Sequence, residues 1–562
     1  MNSYPLQQAP ENPEALEDIL LPFAARFISL PESELIQLRC DASYWKAQHA
    51  RAIEREEVLK EELKQKEAMI RDLSQRLYGK KSEKSKGKSE SNLSAEKPPK
   101  NPRGQAKGSV GHGRTNRENL PVVHEHIRLS ETACLVCGLE YTSLPDEESN
   151  IIEVLVSAHV RRIHRQKCAR NCTCTPGAMI ITAPAPAKLV PKSPFANSVW
   201  EEILLNKFLH AQPINRILND FKSLGFGMSP GTVAGNLKTL SPLFKPVYDA
   251  FHQRQMTENR FHNDETRWEV YESVEGKVGS RWYLWLTRSI SVIYYRMDPT
   301  RSADVPLAHF ADLVSKTIII ICDRYSAYKK LARLNLAVIL AFCWVHVRRD
   351  FLELARSHVD LKAWGLDWVD KIGRLFHLNK LRVELFDPTL PLAWQSASFK
   401  ESHNALGIAL NEMKSDCNAL LLADKVAKEK KEKSPAILAS AQRKVLNSLI
   451  KHWKGLTVFY EHPDVKMDNN PAEQSVRNPV LGRKAYYGSG SIWSAELAAM
   501  IFSIFQTMLL WNLNPRTWLR LYLEACAQNG GNAPQDLSEF LPWTMSEARK
   551  QQLSKPPDDD SS

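Results

Sequence analysis

Three acidic residues stand where folding could bring their carboxylates together. Asp264 lies in the polar stretch HNDET, Asp323 follows the apolar run TIIIIC, and Glu473 lies far downstream in DNNPAEQ. Buried carboxylates are costly unless something neutralises them, and Mg²⁺ does so through the hard oxygen ligands that it prefers. Two such ions about 4 Å apart can activate an attacking oxygen and stabilise a leaving oxygen in phosphoryl transfer. The three acids are therefore candidate metal ligands and catalytic residues.

Each acid also has a local alternative. Asn470 would serve as an N-cap and Pro471 as the first helical residue, so that Glu473 at the third position could reach back to the cap. Arg477 stands four residues later, within ion-pair reach on a helix. Of the two aspartates, the first could cap a turn and the second could bind the backbone amides of the following helix. The elements that position the acids must decide between these roles.

The elements around the two aspartates alternate between strands and helices. The segments RFHNDETRWEVYE, RWYLWLTRS and SVIYYRMD predict three successive strands, followed by a helix over about 302–314. TIIIICDR then predicts an apolar strand that ends at Asp323, YSAYKKLARL a helix, LAVILAFC a buried strand and WVHVRRDFLELAR a further helix. This order matches a ribonuclease-H-like domain, in which the first and fourth strands are neighbours. The two aspartates would then face each other across a short gap.

The whole chain predicts a multidomain protein of the α plus α/β class. We expect the core in two parts, 258–350 and 461–512, separated by a helical insertion at 351–460 and followed by a helical tail at 513–562. Glu473 follows the insertion, on a predicted short helix beside the strands. Upstream we expect an N-terminal tail at 1–32, a coiled coil at 33–79 and a basic flexible linker at 80–120. A zinc-binding segment at 121–185 and a helix-turn-helix region at 186–257 would follow.

The coiled coil is expected from a single long helix over residues 33–78. Leu63, Ile70 and Leu77 occupy heptad position a, and position d holds Leu38, Trp45, Ala52, Leu59 and Leu73. His49, Glu56 and Lys66 interrupt this seam. A lone amphipathic helix packed on its own domain is the alternative. Because no apolar partner segment lies nearby, we favour self-association into a homo-oligomer.

The zinc-binding segment is expected from five clustered cysteines: Cys134, Cys137, Cys168, Cys172 and Cys174. Clustering in a cytosolic chain points to metal. The first two form half of a zinc knuckle, and Cys168 with Cys172, or Cys172 with Cys174, would complete a closed tetrahedral site for structural Zn²⁺. Between the halves, 151–167 alternates like strands. His159 or His164 could replace a cysteine, and buried free thiols are the alternative to a metal site.

The helical region includes a candidate helix-turn-helix. One helix is expected to run to Leu224, Gly225 breaks it, and Ser229 with Pro230 starts a second. Thr232, Asn236 and Lys238 would lie on or near the exposed face and could touch DNA, although any helical hairpin can share this pattern.

The charge of the chain favours a polyanionic partner. The formal net charge is +11 and the pI is about 9.0. Two groups of basic residues near the acids could hold DNA phosphates, although such residues on helices are often only solvated. One group is His346, Arg348 and Arg349, and the other is Arg477, Arg483 and Lys484. We see no membrane-spanning apolar run and no signal peptide, so a cytoplasmic protein is expected.

Several motifs together resemble the transposases of the insertion sequence 66 family, a branch of the DDE transposases. They are LYGKKSEK after the coiled coil, RGQAKGSVGHGR before the Cys-x-x-Cys-Gly segment, HNDET, ICDRYSAY, CWVHVRR, DNNPAEQSVRNPVLGRKAYYGSGS and the Asn-Pro-x-x-Trp-Leu step near the end. The resemblance covers almost the whole chain in the family's order. It is specific because the motifs occur in combination.

The resemblance implies a bacterial DNA transposase that depends on Mg²⁺ or Mn²⁺ and has a ribonuclease-H-like core. The DDE triad carries over to Asp264, Asp323 and Glu473. Water would attack the phosphodiester at a terminal inverted repeat, and the freed 3′ hydroxyl would attack target DNA; accessory proteins are left open. Many DDE enzymes have Lys or Arg seven residues after the glutamate, but Val480 stands there, so Arg477 or Lys484 would have to substitute.

Two other functions remain compatible with the sequence. A DNA-binding regulator would use the same N-terminal elements with a catalytically inert core, and a structure-selective nuclease would cut without strand transfer. The intact triad favours the transposase over the regulator. The long N-terminal half with its DNA-binding signals argues against the nuclease.

Overall fold

The computed structural model describes residues 31–78, 156–169, 171, 180–313, 317–335, 337–430 and 437–556. The basic linker predicted at 80–120 lies outside the described residues, as do Cys134, Cys137, Cys172 and Cys174 of the zinc prediction. The chain divides into two compact units. One comprises the N-terminal helix with residues 352–366, and the other contains the remaining described residues.

The first unit is built on helix α1, Glu32–Tyr78, which confirms the predicted long helix. Within this unit Ala68 is buried, and Arg71 donates a hydrogen bond from Nε to the carbonyl oxygen of Ser357 over 2.7 Å. Most apolar heptad side chains are exposed, among them Leu38, Trp45, Leu59, Leu63, Ile70 and Leu73. Self-association through this seam stays a prediction.

The segment that follows Cys134 and Cys137 departs from the prediction. The alternating stretch 151–167 was expected to form strands, yet 156–166 adopts no helix or strand, and every side chain there is exposed. Alternation stabilises a strand only when one face is buried, and this basic segment buries no face against the described residues. A short antiparallel pair follows, β1 (Lys167–Ala169) and β2 (Ile180–Thr182).

The expected helical region is confirmed. It comprises α2 (Asn197–Leu204, continued by a π-helical turn at Leu205–Leu209), α3 (Ile214–Ser223), α4 (Pro230–Leu240) and α5 (Lys245–Gln255). Gly225 turns the chain with φ +94°, a conformation that glycine adopts without a steric penalty. Ser229 caps α4 by accepting the Thr232 N–H over 3.1 Å. The predicted break and restart are therefore present, and their role in DNA binding stays a prediction.

A mixed five-stranded sheet forms the centre of the second unit. Its strands are β3 (Arg260–Glu269), β4 (Arg281–Arg288), β5 (Ile293–Asp298), β6 (Ile318–Cys322) and β7 (Val338–Phe342), in the order β5-β4-β3-β6-β7. The first three strands are antiparallel, whereas β6 is parallel to both β3 and β7. The helices between and after them are α6 (Asp304–His309), α7 (Ser326–Leu334) and α8 (Trp344–Ser357). The predicted adjacency of the first and fourth strands is confirmed.

The expected insertion is helical. It contains α9 (Lys362–Glu384), α10 (Ala397–Glu429), α11 (Ser440–Lys451) and the short helices α12 (Trp453–Leu456) and α13 (Val458–Glu461). Arg382 is fully buried and donates hydrogen bonds to the carbonyl oxygens of Phe459 and Tyr460 over 2.8 and 3.0 Å. These bonds join the end of α9 to α13.

The chain then returns to the sheet through α14 (Asn470–Tyr486) and α15 (Ile492–Leu510), and ends with α16 (Pro515–Gln528) and α17 (Glu547–Ser554). By length and composition α15 could cross a membrane, but 67% of its apolar window is buried inside the protein. Its Thr507 and Ser503 hydroxyls accept the N–H groups of Ile293 and Tyr295 in β5 over 3.0 and 2.9 Å. These contacts are those of a core helix.

Candidate active site

The parallel pairing of β3 with β6 brings the two predicted aspartates to the same edge of the sheet. Their register aligns His262 with Ile321, so Asp264 and Asp323 follow at equivalent positions two residues later. Asp323 stands one residue beyond the end of β6. Asp264 Oδ1 accepts its neighbour's N–H over 2.8 Å, and Asp323 Oδ1 accepts the Tyr325 N–H over 2.9 Å. The local bonds that the sequence left open therefore engage one oxygen of each carboxylate.

The third acid stands in the first turn of α14, but the predicted cap is wrong. The N-cap is Asn469 rather than Asn470, and the helix runs for 17 residues rather than a short stretch. Asp468 accepts the Asn470 N–H over 3.0 Å and thereby holds the turn before the helix. Glu473 does not cap, because the Asn469 N–H donates to Cys343 Sγ instead; Oε1 of Glu473 is buried and accepts no hydrogen bond from the described residues. Its carboxylate is thus available for another partner.

Asn469, at the start of α14, forms hydrogen bonds to β3 and to the residue that precedes α8. The sequence did not predict this role. Its Nδ2 donates to the Asn263 carbonyl oxygen over 2.8 Å, and its Oδ1 lies 3.0 Å from His262 Nδ1. Its own N–H donates to Cys343 Sγ over 3.3 Å, just before α8. Burial lowers the pKa of His262 to about 4, so the neutral ring donates to Asn469. The run DNNP offers two adjacent asparagines, and nothing local marks which of them points inward.

The carboxylates interact electrostatically. The pKa of Asp264 is raised to about 7, first by burial and then by the neighbouring charge of Glu265, with further contributions from Asp323 and Glu473. The N–H bond from Glu265 opposes the shift. Asp323 and Glu473 therefore both lie within electrostatic range of Asp264, whose charged form is costly in this buried position.

A fourth acid beside them is already neutralised. Glu265 follows Asp264 and, because strand side chains alternate, points to the opposite face of the sheet. Its side chain is 3% exposed, pairs with Arg301 (Nε to Oε1, 3.0 Å) and accepts the Tyr328 hydroxyl over 2.8 Å. Burial raises the pKa of Glu265, while Arg301 and Tyr328 oppose that effect. Glu265 is thus held by its own partners, although its charge still acts on Asp264 and is itself affected by Asp323.

His346 extends the acid site on the side of α8. Its Nε2 lies 3.9 Å from Glu473 Oε1, and its Nδ1 is buried with no hydrogen bond from the described residues. Burial lowers the pKa of His346, and so does Arg349, while Glu473 acts in the opposite direction. The structure therefore brings this predicted phosphate contact against the third acid.

The other predicted DNA contacts differ in their surroundings. Arg349, Arg477 and Lys484 are exposed, and Arg348 is half-buried. Arg483 donates to Thr266 Oγ1 over 3.0 Å and to the Arg267 carbonyl oxygen, so it braces α14 against β3. Val480 is half-buried and packs on the core. No Glu473–Arg477 ion pair forms among the described residues.

The three predicted contacts on α4 belong to a different region. Lys238 is exposed, whereas Thr232 and Asn236 are half-buried. The Thr232 hydroxyl pairs with Ser229 over 2.9 Å, and Asn236 donates to the Thr232 carbonyl oxygen over 2.9 Å. Two of the three polar groups are therefore already bonded within their own helix. Of the predicted zinc ligands, only Cys168 is described; it is a free, exposed cysteine in β1.

Comparison with known proteins places this arrangement in a family. The family model described as "Transposase IS66 family" matches residues 192–497, more than half of the chain, including the sheet and all three acids. The uncharacterized protein y4hP of Sinorhizobium fredii (strain NBRC 101917 / NGR234) is 24% identical over 442 residues, 74% of this chain and 74% of the relative. Protein y4jD of the same strain, also uncharacterized, is 24% identical over 443 residues, 76% of this chain and 80% of the relative. The chain belongs to the IS66 family of transposases.

Proposed function

We propose that this protein is an active DNA transposase that binds the terminal inverted repeats of an insertion element, hydrolyses a phosphodiester at each end and joins the freed 3′ hydroxyl to target DNA. One observation carries the proposal. The parallel register of β3 with β6 puts Asp264 and Asp323 at equivalent positions, and Asn469 bonds the start of the helix that carries Glu473 to the Asn263 carbonyl oxygen, so three acids from separate elements converge. Family membership supplies the association with transposition.

The donor set fits a hard divalent cation. Asp264, Asp323 and Glu473 would hold Mg²⁺ or Mn²⁺ through carboxylate oxygens, and a bound cation would offset the cost of the charged form of Asp264, whose pKa is raised to about 7 first by burial. When bound, the metal would supply Lewis-acid activation of water and charge stabilisation at the leaving oxygen. The chain's own part is to hold these carboxylates in one place and to keep Glu265 paired with Arg301.

DNA would approach through basic side chains around this edge. Arg349, Arg477 and Lys484 are exposed and suited to phosphate contacts, and the net charge of +11 favours the approach of DNA. Arg348, His346 and Arg483 are proposed to contribute nearer the acids. Thr232, Asn236 and Lys238 are proposed for end recognition, with Lys238 the most accessible of the three.

The N-terminal half would support assembly on the element ends. The apolar heptad seam of α1 is proposed to join copies of the chain, and Cys134, Cys137, Cys168 and either Cys172 or Cys174 to hold a structural Zn²⁺. Accessory proteins are compatible with this scheme. Action on chromosomal DNA would locate the protein in the bacterial cytoplasm, at the nucleoid.

Cleavage of a labelled element end with Mg²⁺ tests the proposal. Wild-type protein should nick the end and join it to a target, whereas Asp264→Asn, Asp323→Asn and Glu473→Gln should each lose about a hundredfold or more of the rate, the scale of removing one transition-state-stabilising group. Asp304→Asn, at an exposed acid in α6, is the matched control. Binding of the end without cutting would favour the DNA-binding regulator, and cutting without joining would favour the nuclease.

A further inference from the structure

A second group of metal-binding side chains stands beside the acid site. Cys343 immediately precedes α8, His346 lies in the first turn of that helix, and Glu473 comes from the first turn of α14. One donor atom from each lies within 4.8 Å of the other two. Sulfur, imidazole nitrogen and carboxylate oxygen are the three donor types that Zn²⁺ takes in proteins.

Two effects act on the Cys343 thiol: burial raises its pKa, whereas neighbouring backbone N–H groups oppose that rise. Cys343 is 1% exposed, and its Sγ accepts the Asn469 N–H over 3.3 Å. The pKa of the thiol is raised overall, so a bound metal would have to displace its proton. N–H bonds to sulfur and a position at a helix N-terminus both stabilise the negative form.

The other two side chains have unmet bonding needs. Nδ1 of His346 and Oε1 of Glu473 are buried, and neither forms a hydrogen bond with the described part of the chain. Buried polar atoms normally find a partner, so two orphaned atoms on facing helices call for an explanation. A hydrogen bond between them does not provide it, because His346 Nε2 and Glu473 Oε1 are 3.9 Å apart, and burial lowers the pKa of His346 and so disfavours the charged ring that an ion pair needs. A cation between the two side chains would act as a partner for both.

We propose that Cys343, His346 and Glu473 bind one thiophilic divalent cation of the Zn²⁺ class, distinct from the hard cations of the all-carboxylate set. Metal–ligand bonds of about 2.0–2.3 Å require only a small closing movement from the present spacing. Glu473 uses Oε1 here, which leaves its second oxygen for the side of Asp264 and Asp323. The ion joins the start of α8 to the start of α14 and fixes the orientation of the third acid. This inference rests on donor geometry and not on the proposed DNA chemistry.

The competing explanation is that Cys343 merely caps α8. Cys343→Ser separates the two, because serine is a good N-cap but lacks the thiolate. Cys322→Ser is the matched control, since Cys322 is equally buried and its carbonyl oxygen accepts the Cys343 N–H over 3.1 Å. His346→Gln removes a ligand without altering the cap residue. Together the variants distinguish loss of metal from loss of the helix start.

The experiment is a Co²⁺ titration of the metal-stripped full-length protein, followed by thiolate-to-cobalt absorption and by metal content. Cysteines in the 121–185 segment are predicted to bind metal as well, so the difference between variants is measured. Cys343→Ser and His346→Gln should each lose one equivalent of bound metal, whereas Cys322→Ser should retain it. Unchanged stoichiometry and absorption in both ligand variants would overturn the proposal. Because no DNA is present, this result is independent of whether the protein cleaves element ends.

Discussion

Asn469 donates a hydrogen bond from Nδ2 to the backbone carbonyl oxygen of Asn263 over 2.8 Å and so joins the start of α14 to β3. Asp264 is the next residue in that strand. On the helix side, the Glu473 N–H donates to the Asn469 carbonyl oxygen over 3.1 Å. One buried side chain therefore sets the separation between the first and third acids, and its neighbour Asn470, which is exposed, does not.

Asn469→Ala should disturb this separation. It leaves the His262 Nδ1–H and the Asn263 carbonyl oxygen without their partner, at an expected cost of about 1–3 kcal/mol in the free energy of unfolding. The Mg²⁺ concentration needed for half-maximal end cleavage should also rise, because the acids are less well fixed. Urea unfolding and a Mg²⁺ titration of cleavage measure the two effects. Asn470→Ala is the control, and equal losses in both variants would contradict the role given to Asn469.

The raised pKa of Asp264 predicts how stability depends on pH without metal. Its value of about 7 in the folded protein, against 3.8 as the ordinary value, means that the folded state binds the extra proton between about pH 4 and pH 7. The free energy of unfolding should therefore fall as pH rises through that window, with a slope of at most about 1.4 kcal/mol per pH unit from this group.

Asp264→Asn should remove this contribution to the slope. Urea unfolding in the presence of a chelator, repeated from pH 4 to pH 8, measures it. Saturating Mg²⁺ should also flatten the profile of the wild-type protein, because a bound cation favours the ionised carboxylate. An identical pH slope in wild type and Asp264→Asn without metal would show that burial does not hold a proton on this residue.

The Glu265–Arg301 pair predicts a stability effect on the other face of the sheet. Arg301→Ala leaves a carboxylate that is 3% exposed without its charged partner, so the free energy of unfolding should fall by about 1–3 kcal/mol. Lys330→Ala is the comparison, because its ion pair with Asp304 is exposed on both sides and should contribute less than about 1 kcal/mol. Thermal or urea unfolding of the two variants checks this order, and a larger loss in Lys330→Ala would contradict it.

Substitutions of the basic residues of α14 should separate effects on DNA binding from effects on stability, because two of these side chains are exposed and one is hydrogen-bonded to β3. Arg477→Ala and Lys484→Ala should weaken binding to an element end, and each should reduce the slope of log affinity against log salt by about 1. Arg483→Ala should also lower stability, because its bonds to Thr266 and Arg267 are lost. Fluorescence anisotropy at several salt concentrations gives the slopes. If the salt dependence of Arg477→Ala and Lys484→Ala equals that of wild type, Arg477 and Lys484 do not contact DNA phosphates.

Periodicity and strand order were enough to predict the sheet and the meeting of Asp264 with Asp323, because both depend on local patterns and a few topological rules. The predicted N-cap of α14 is wrong by one residue. Asn469 takes this position because it forms hydrogen bonds to β3 and to Cys343, which are distant in the sequence. The sequence does not show that Glu265 is bound by Arg301 and Tyr328, because these partners lie 36 and 63 residues away along the chain. Contacts between distant segments were the part that the sequence could not supply.

The central claim, that three acids hold the catalytic metal, is tested most directly by Mn²⁺ binding to the complex of this protein with an element end. Electron paramagnetic resonance measures the free Mn²⁺ that remains at each addition. Wild type and Asp304→Asn, whose acid is exposed in α6, should withdraw Mn²⁺ equally, whereas Asp264→Asn, Asp323→Asn and Glu473→Gln should bind much less. Full Mn²⁺ binding by all three of those variants would contradict the account.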